Sequence, residues 1–416
     1  MPLAPCGADT ARPKILLLHL NATGQFEFLG KWLAKNGWDV RTAYRGDDTV
    51  TEADNIRSYG FRTRATDHRE NDFRYPLDYA AQNALGATRL FFNMRDGEDY
   101  VPDVVIAHVG WGIGLCVKQV WPTTKYIAYH EWYYTEQDWS KGGKAERPVN
   151  VSTTLSNRMR NLPIVAEFDC ADASWCPTEF QKSRFPPALQ PFIEVLPDGV
   201  DCQLHRGSAV FGVDFEWLGL PVGGKVLTYA TRGMEPLRGF PQFLRAVEEL
   251  QRRRSDFDTV ILASDTVSYG AQLGDGDSWR LRMLDQLTLD QRRIHFAGSR
   301  PRDEYIKVLQ ASTAHLYFSE PFVTSWSLAE ALAIGCLVIG SNTKPVQEFI
   351  EDGTNGYLVD MDDPEEVADM IEYSFDHPLE VGQLKAQARL MIQKTHGSEH
   401  VFARKEKLLR QLLAAG

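Results

Sequence analysis

The chain has 416 residues, of which 43% are hydrophobic and 24% are charged. This length and balance are typical of a globular protein with two domains and large cores. Its 45 lysine and arginine residues are outnumbered by 56 acidic ones, and the net charge of −11 argues against a nucleic-acid binder and against a general electrostatic membrane anchor.

Signals for export, for disulfides and for membrane spans are absent from the sequence. The six cysteines include no close pair of the metal-binding kind, and Cys170 and Cys176 are too far apart for a C-x-x-C motif. The first ten residues lack the basic and apolar regions of a signal peptide, and no apolar run approaches about 20 residues. We therefore expect a cytoplasmic protein with reduced thiols, and peripheral contact with the inner face of the membrane stays open.

Strands and helices alternate along both halves of the chain, which predicts two α/β domains with doubly wound parallel sheets. In the first half, strands are predicted at 14–20, 38–43, 104–107, 125–129, 174–176 and 193–196. A helix at 152–171 is expected to bury an apolar face made of Leu155, Met159, Leu162 and Val165.

A loose, glycine-containing stretch at 206–224 is interpreted as a linker, after which the alternation resumes. The predicted domains are therefore 1–205 and 206–395. The last segment, 396–416, reads as a helix with no strand after it.

The loop from Asn21 to Phe26 follows the first strand and opens a helix. Gly24 would let a ligand approach the backbone closely, and the amides of the first helical turn would face the edge of the sheet. A plain turn between a strand and a helix explains the same residues equally well.

Two further strands of the first half end in polar or aromatic residues. His108 ends a buried strand, and a neutral imidazole there can accept or share a proton. The next strand ends in His130, Glu131, Trp132 and Tyr133. Aromatic rings pack on the apolar face of a sugar, so these four are candidate acceptor contacts. A structural histidine and a core aromatic cluster are the alternatives.

Two arginines flank the turn after the first strand of the second half. Arg232 and Arg238 lie between the strand that begins at Lys225 and the following helix. Two guanidinium groups at the carboxyl edge of a strand suit the charge of a diphosphate, and no metal is then needed. Solvated surface arginines are the alternative.

The segment 320–340 is the most informative stretch, and it predicts a loop, a helix and a buried strand, with Gly335 ending the helix. The amides and the dipole at the start of this helix favour a diphosphate. Glu330 lies further inside the helix, and because a carboxylate repels phosphate, its expected partner is a sugar diol. The residues that open the helix are Thr324, Ser325, Trp326 and Ser327.

Three D-x-D sequences, at 256–258, 275–277 and 360–362, have the pattern that holds a divalent metal in some sugar-transferring enzymes. The first precedes a strand, the second lies in a glycine-rich turn, and the third follows a strand. We interpret all three as turns and caps and expect no metal.

Taken together, the 320–340 segment, the 229–240 segment and the strands between them resemble the retaining GT-B glycosyltransferases of family 4, in a subgroup with an acid–aromatic cluster in the N-terminal domain. The resemblance covers roughly residues 14–375. In that family two glutamates stand eight positions apart, whereas Glu320 precedes Glu330 by ten.

The resemblance implies two Rossmann-like domains that face each other across a cleft, the first for the acceptor and the second for a nucleoside-diphosphate sugar. It also implies that the C-terminal helix, 396–416, crosses back to the N-terminal domain. It implies that His108 faces the donor sugar and that the Gly24 loop touches the donor phosphate or the acceptor. It also implies that backbone groups near Phe296 hold the nucleobase. Either the loop carries two extra residues and Glu320 takes the place of the first glutamate, or that role is missing.

The predicted activity is metal-independent, retaining transfer of a hexose from a UDP-, GDP- or dTDP-sugar to a glycan, lipid-linked or small-molecule acceptor, for example in polysaccharide biosynthesis. Two alternatives share the fold: a sugar phosphorylase or nucleotide-sugar epimerase, and a non-catalytic nucleotide-sugar-binding protein. The sugar, the nucleobase, the acceptor, the linkage and the oligomeric state do not follow from the sequence.

Overall fold

The structure is a computed structural model that describes residues 12–22, 24–69, 72–135, 151–206, 224–269 and 272–415. The chain divides into two compact units. The described residues up to 198 and from 402 onward form the first unit, and those of 199–401 form the second. Most of the predicted linker, at 207–223, lies outside the described residues.

The first unit contains one sheet of eight strands with helices between them. Its elements are β1 (Lys14–Leu18), α1 (Glu27–Lys35), β2 (Asp39–Arg45), β3 (Val50–Ala53), β4 (Ile56–Phe61), α2 (Tyr75–Phe92), β5 (Val104–His108), α3 (Val117–Val120), β6 (Lys125–Tyr129), α4 (Val151–Cys170), β7 (Ala173–Cys176), α5 (Glu179–Ser183) and β8 (Ile193–Val195). The strand order is β3-β4-β2-β1-β5-β6-β7-β8. All neighbours are parallel except β3 and β4.

The second unit contains a parallel sheet of six strands. Its elements are β9 (Lys225–Gly233), α6 (Phe240–Arg253), β10 (Phe257–Ser264), α7 (Trp279–Gln286), β11 (Ile294–Phe296), α8 (Arg302–Gln310), β12 (Ala314–Tyr317), α9 (Trp326–Ile334), β13 (Val338–Ser341), α10 (Lys344–Gln347), β14 (Tyr357–Val359), α11 (Pro364–Asp376) and α12 (Pro378–His396). The order is β11-β10-β9-β12-β13-β14. A last helix, α13 (Ser398–Ala414), follows.

The central strands form because they are almost continuously apolar, as strands of a parallel sheet covered on both faces must be. All five residues of β5 are buried. In the second unit, α6 covers the sheet with an apolar face, and the ring of Phe243 stacks on Tyr229 of β9 with centroids 4.5 Å apart. Burying a ring of this size contributes about 2–3 kcal/mol. The predicted doubly wound sheets are therefore confirmed.

In each sheet there is one place where two neighbouring strands lead into connections that run in opposite directions. It lies between β1 and β5 in the first unit and between β9 and β12 in the second. Such a switch point leaves a crevice beyond the carboxyl ends of the two strands, where ligands of open α/β sheets bind. Site residues are therefore expected at these two edges.

The observed boundary between the units differs from the predicted one after residue 205. The amide of Val200 donates to His396 O, and Ser398 N donates to Val200 O, each at 2.8 Å. These two bonds draw 199–206 into the second unit. The roles of acceptor and donor domain stay predictions.

Two local features also differ from the sequence analysis. Helix α4 forms as predicted, but three of its predicted core residues, Leu155, Leu162 and Val165, are exposed. Its buried residues are Asn157, Asn161, Pro163, Ile164 and Glu167. Asn161 explains why this side of α4 faces inward, because its side-chain amide hydrogen-bonds both the N–H and the carbonyl of Tyr134. The hairpin of β3 and β4 was not predicted.

From Phe402 on, α13 belongs to the first unit. The indole Nε1 groups of Trp32 and Trp38 both donate to the carboxylate of Glu406 at 3.2 Å, and Phe402 packs on Trp32. Among the described helices, none has the length and apolar character that crossing a membrane requires.

Candidate functional site

At the switch point of the first unit, three side chains meet that we name the histidine cluster: His19, His108 and Glu131. His19 follows β1, His108 ends β5 and Glu131 lies just beyond β6. The two imidazole rings meet edge to face with centroids 5.1 Å apart, and His108 Nε2 lies 3.2 Å from Glu131 Oε2. The parallel register of the three strands brings these residues together at one edge.

His108 is fully engaged within the cluster. Its ring stacks on Trp111 with centroids 4.1 Å apart. Nε2 faces the Glu131 carboxylate, and Nδ1 lies 3.2 Å from Val109 O. Because an ionised carboxylate only accepts hydrogen bonds, Nε2 carries a hydrogen in this arrangement. The predicted use of His108 as a proton acceptor therefore does not match this geometry at Nε2.

Glu131 is the centre of the cluster. Its Oε1 accepts a hydrogen bond from Gln25 Nε2 at 2.5 Å, and its backbone carbonyl accepts one from Gln181 Nε2 at 2.6 Å. Burial raises the pKa of this carboxyl, but the hydrogen bonds and charges of His108, His19 and Gln25 outweigh it and bring the pKa below its usual value. Glu131 is therefore ionised at neutral pH.

His19 is the main residue of this edge that the sequence analysis missed. Burial, and then the charge of His108, lower its pKa to about 4, so the ring is neutral. Its Nδ1 bonds the backbone of Asn21, and its buried Nε2 has no hydrogen-bond partner in the described part of the chain. Gly24 has φ +45°, and a Cβ there would overlap the His19 ring. The predicted residues Asn21 and Gly24 thus contact the cluster.

The other aromatic-segment residues do not join it. His130 is fully buried, between the rings of Phe168 and Phe185, and burial lowers its pKa to about 3. Neighbouring residues of extended chain point in opposite directions, so Glu131 faces the edge and His130 faces the core. The prediction that His130 binds the acceptor is corrected accordingly.

Trp132 and Tyr133 also lie in packed surroundings. The Trp132 ring lies 6.0 Å from Phe180, and the Tyr133 ring lies 5.1 Å from Phe185. The alternative of a core aromatic cluster therefore fits them, and Glu131 is the one member of the predicted group of four that meets His108.

A buried carboxyl, that of Glu167, hydrogen-bonds residues next to this edge. Glu167 accepts from Gly112 N at 3.1 Å and from the Tyr126 hydroxyl at 2.9 Å. Burial raises its pKa to about 8. The sequence analysis missed it because the apolar pattern of α4 predicted another buried face.

At the switch point of the second unit, the turn after β9 is tied to the loop after β12, and we name these two segments, 235–239 and 318–325, the arginine edge. Arg238 is only 5% exposed. Its Nη1 donates to Ser319 Oγ at 2.9 Å and to Val323 O at 3.0 Å. Glu320 N donates to Leu237 O at 2.9 Å. The guanidinium is therefore held in one orientation.

Gly239 makes this arrangement possible. Its φ of +69° is one that side chains rarely allow, and a Cβ there would overlap Phe318. The hydroxyl of Tyr229 also donates to Arg238 O at 2.7 Å. The turn is thus fixed by a close approach that requires glycine.

The two predicted arginines differ in their surroundings. Arg238 lies over the rings of Tyr269 and Phe322, at 5.3 and 5.6 Å. Its Nε and Nη2 make no hydrogen bond with the described part of the chain. Arg232 is exposed and forms no ion pair with any described residue. The alternative of a solvated arginine therefore fails for Arg238 and fits Arg232.

Helix α9 begins next to Arg238, as predicted. Ser325 caps it through an Oγ that accepts from Ser327 N, and Ser325 N donates to Tyr317 Oη at 2.7 Å. Gly335, at φ +89°, ends the helix. The positive end of the helix dipole therefore lies close to the guanidinium. Two further predicted residues, Thr324 and Trp326, are partly exposed at this end.

Glu320 and Glu330 lie in different environments. Oε1 of Glu320 is buried without a hydrogen-bond partner among the described residues, and burial, with a contribution from Asp362, raises its pKa to about 6. Glu330 is 7% exposed, and its Oε1 accepts from Arg302 Nη2 at 2.6 Å. Arg302 was not predicted from the sequence.

In the segment near Phe296, backbone groups that were predicted to hold a nucleobase already make hydrogen bonds within the protein. The guanidinium of Arg280 lies 4.1 Å from the centre of the Phe296 ring. The Ala297 amide donates to Ile261 O, and its carbonyl accepts from Arg300 Nε. The backbone amide and carbonyl of Ala297 are therefore both engaged within the protein.

The D-x-D segments make contacts of the turn and cap type. Asp258 pairs with His295, and the carboxylate of Asp277 pairs with Arg282. Asp360 accepts from the amide of Asp362. These contacts fit the interpretation of the three segments as structural.

Two family models match successive parts of the chain. The model described as glycosyl transferase family 4 group matches residues 37–204, and the model described as glycosyl transferases group 1 matches residues 224–377. Together the two matches cover more than half of the chain. The chain belongs to the glycosyltransferase family that these two models describe, which confirms the predicted resemblance.

A curated relative agrees with this assignment. A D-inositol 3-phosphate glycosyltransferase of Corynebacterium jeikeium (strain K411) is 30% identical over 183 residues, which are 43% of this chain and 42% of the relative. The alignment thus spans less than half the length of that protein.

Solved structures match almost the whole chain. A sucrose-phosphate synthase from Thermosynechococcus elongatus has a TM-score of 0.73 at 16% identity and covers 97% of this chain and 100% of its own. Anabaena HepE in complex with UDP-glucose has a TM-score of 0.69 at 14% identity, over 96% and 99%. At these identities the likeness shows the fold, and it confirms the predicted GT-B class.

Proposed function

We propose that the protein transfers a sugar from a nucleoside-diphosphate sugar to an acceptor hydroxyl, with retention of configuration and without a metal. The buried guanidinium of Arg238 carries the proposal. It is oriented at the switch point beside the start of α9, with two of its nitrogens making no hydrogen bond with the described residues. A fixed cation next to a helix N-terminus suits a leaving diphosphate.

The comparisons favour a UDP-linked donor, because HepE was solved with UDP-glucose. GDP- and dTDP-sugars remain to be tested beside it. The names of the inositol-phosphate and sucrose-phosphate enzymes favour a small polyol or sugar phosphate as acceptor, over a glycan or a lipid-linked sugar.

In the proposed reaction, the bond between the anomeric carbon and the diphosphate breaks while the bond to the acceptor oxygen forms on the same face. The acceptor proton passes to the departing diphosphate. Arg238 and the start of α9 stabilise the developing negative charge, and Arg232 adds a solvent-exposed cation. Glu330 accepts from the ribose, and the unpaired oxygen of Glu320 accepts from a sugar hydroxyl. No carboxylate is needed as a nucleophile.

A thermal-shift titration with UDP-, GDP- and dTDP-glucose, with and without EDTA, tests the donor site. We expect one nucleotide sugar to raise the melting temperature, and we expect EDTA to leave that shift unchanged. A shift that disappears in EDTA would contradict metal independence. No shift with any donor would contradict the proposed donor class.

Turnover then separates the proposal from its alternatives. The donor is incubated alone, with phosphate, and with inositol or hexose phosphates, and the anomeric configuration of the product is read by NMR. We expect an axial-to-axial transfer that requires an acceptor. Conversion of donor alone would indicate an epimerase, consumption with phosphate a phosphorylase, and binding without any turnover a sensor.

A further inference from the structure

Glu330 belongs to a network in which a partly exposed arginine joins two buried side chains, and which extends beyond the donor residues predicted from sequence. Nη2 of Arg302, the first residue of α8, lies 2.6 Å from Glu330 Oε1 and 2.9 Å from His205 Nε2. His205 is 1% exposed. Its Nδ1 lies 2.9 Å from the carbonyl oxygen of Asp201. We name Arg302 and His205 the Glu330 tether.

The hydrogens of this network can be assigned from chemistry alone. A backbone carbonyl only accepts, so His205 Nδ1 carries the hydrogen and Nε2 offers a lone pair. Arg302 Nη2 has two hydrogens, and its two partners, Glu330 Oε1 and His205 Nε2, both accept. Burial lowers the pKa of His205, which keeps it in this neutral form. Each donor is therefore matched to one acceptor.

The tether has a direct consequence for the carboxylate. Glu330 is nearly buried, and its Oε1 is held by Arg302 at a short distance. Arg302 on Oε1 and the buried Tyr305 hydroxyl beside the carboxylate restrict its orientation, and the remaining lone pairs of the carboxylate can accept from a ligand. Two acceptors of restricted orientation match two adjacent hydroxyl groups, as in a ribose diol.

We propose that Arg302 and His205 are positioning residues that hold Glu330 against both hydroxyls of a ribose, so that the protein selects ribonucleotide over 2′-deoxyribonucleotide donors. This inference rests on the proposed function. A site built to bond a hydroxyl rejects the analogue that lacks it, because a buried polar group then stays unpaired. An untethered Glu330 could rotate to use one hydroxyl, and the selection would weaken.

The test is a calorimetric comparison of UDP with 2′-deoxy-UDP, or of GDP with 2′-deoxy-GDP if the protein binds guanine. We expect the wild type to prefer the ribonucleotide by about tenfold or more, the scale of one lost hydrogen bond in a buried site. Arg302→Met should bring the preference close to one while the affinity for the deoxynucleotide changes about twofold or less. Arg302→Lys should keep part of the preference.

Two further variants protect the test against misfolding and against general charge effects. His205→Phe keeps a ring of similar size but cannot accept from Arg302, and we expect it to lower the preference about threefold. Arg292→Met removes an arginine that is 90% exposed and pairs with Asp290, and we expect it to keep the wild-type preference. Thermal melting establishes that each variant is folded.

The possible outcomes distinguish a failure of the proposed positioning role from a failure of the proposed function. If Arg302→Met weakens the binding of both nucleotides equally, Arg302 contributes to nucleotide binding in general, and its proposed role in positioning Glu330 is wrong. An unchanged preference in both Arg302→Met and His205→Phe would overturn it as well. A wild type that binds UDP and 2′-deoxy-UDP equally removes the ribose contact but leaves the donor site. A wild type that binds no nucleotide overturns the proposed function itself.

Discussion

The two switch points use the same position in similar sheets but offer different chemistry. In the histidine cluster, His19, His108 and Glu131 mostly satisfy one another, and burial keeps His19 neutral. At the arginine edge, Arg238 is oriented but keeps part of its guanidinium available, and Glu320 keeps an unpaired oxygen. The first edge contains an ionised carboxylate that faces an imidazole, whereas at the second edge Arg238 forms no ion pair with any described residue.

This difference is what a transfer reaction between two substrates would require. A diphosphate needs fixed positive charge, and the arginine edge supplies it through one buried side chain and a helix terminus. A neutral acceptor hydroxyl would need a hydrogen-bonding group, and in the proposed reaction the Glu131 carboxylate that faces His108 is the candidate for it. Breaking each edge separately should therefore change different kinetic constants.

The largest effect is expected at the arginine edge. Arg238→Ala should lower kcat/KM by about 10²–10³, because an oriented charge on a leaving group is lost. Arg232→Ala should lower it by about tenfold or less, because solvent screens an exposed charge. Steady-state kinetics of both variants with the best donor give the comparison. Equal losses would contradict the distinction between a buried and an exposed arginine.

A smaller effect is expected in the histidine cluster. Glu131→Gln keeps the shape but removes the charge that faces His108 Nε2, so kcat should fall about tenfold. The donor affinity should change little, since Arg238, Glu320 and Glu330, which carry the proposed donor contacts, lie in the second unit. The control is Glu194→Gln, a surface residue paired with Arg404. A selective rise in donor KM would contradict this division of roles.

The smallest effect on activity is expected for His130→Phe, which should leave turnover at neutral pH unchanged. The pKa of His130 is about 3 in the folded protein and about 6.5 in an unfolded chain. Between these values the unfolded chain binds a proton that the folded protein does not, so stability falls as the pH falls. Between pH 6 and 4, the free energy of unfolding should therefore fall less steeply in the variant than in the wild type, by about 1.4 kcal/mol per pH unit. Urea unfolding measures this difference. An unaltered slope would contradict the buried, neutral state.

Local patterns were enough to predict much of the fold. The strand β6 forms where predicted, and α9 ends at Gly335 as predicted, because apolar runs and glycine stops act over a few residues. The β3–β4 hairpin was missed, although its turn at Asp54 and Asn55, both with positive φ, is a recognisable hairpin signal.

The site could be predicted only in part. Arg238 and Glu330 lie in segments that open helices, so their position follows from local sequence. His19, Arg302 and His205 could not be found in that way, because their contacts depend on which strands are neighbours and on chain segments far apart. His205 and Arg302, for example, are 97 residues apart in sequence.

The contact between Trp38 and Glu406 has a consequence for how the protein is made. These residues are separated by 368 positions, and a ribosome adding about 5–20 residues per second needs roughly 20–70 s to cover that distance. Throughout this time the two indoles of the nascent chain lack their final acceptor, while residues 199–401 can already fold. The unit that starts first therefore finishes last, and chaperones that bind exposed aromatic surface would meet it during that interval.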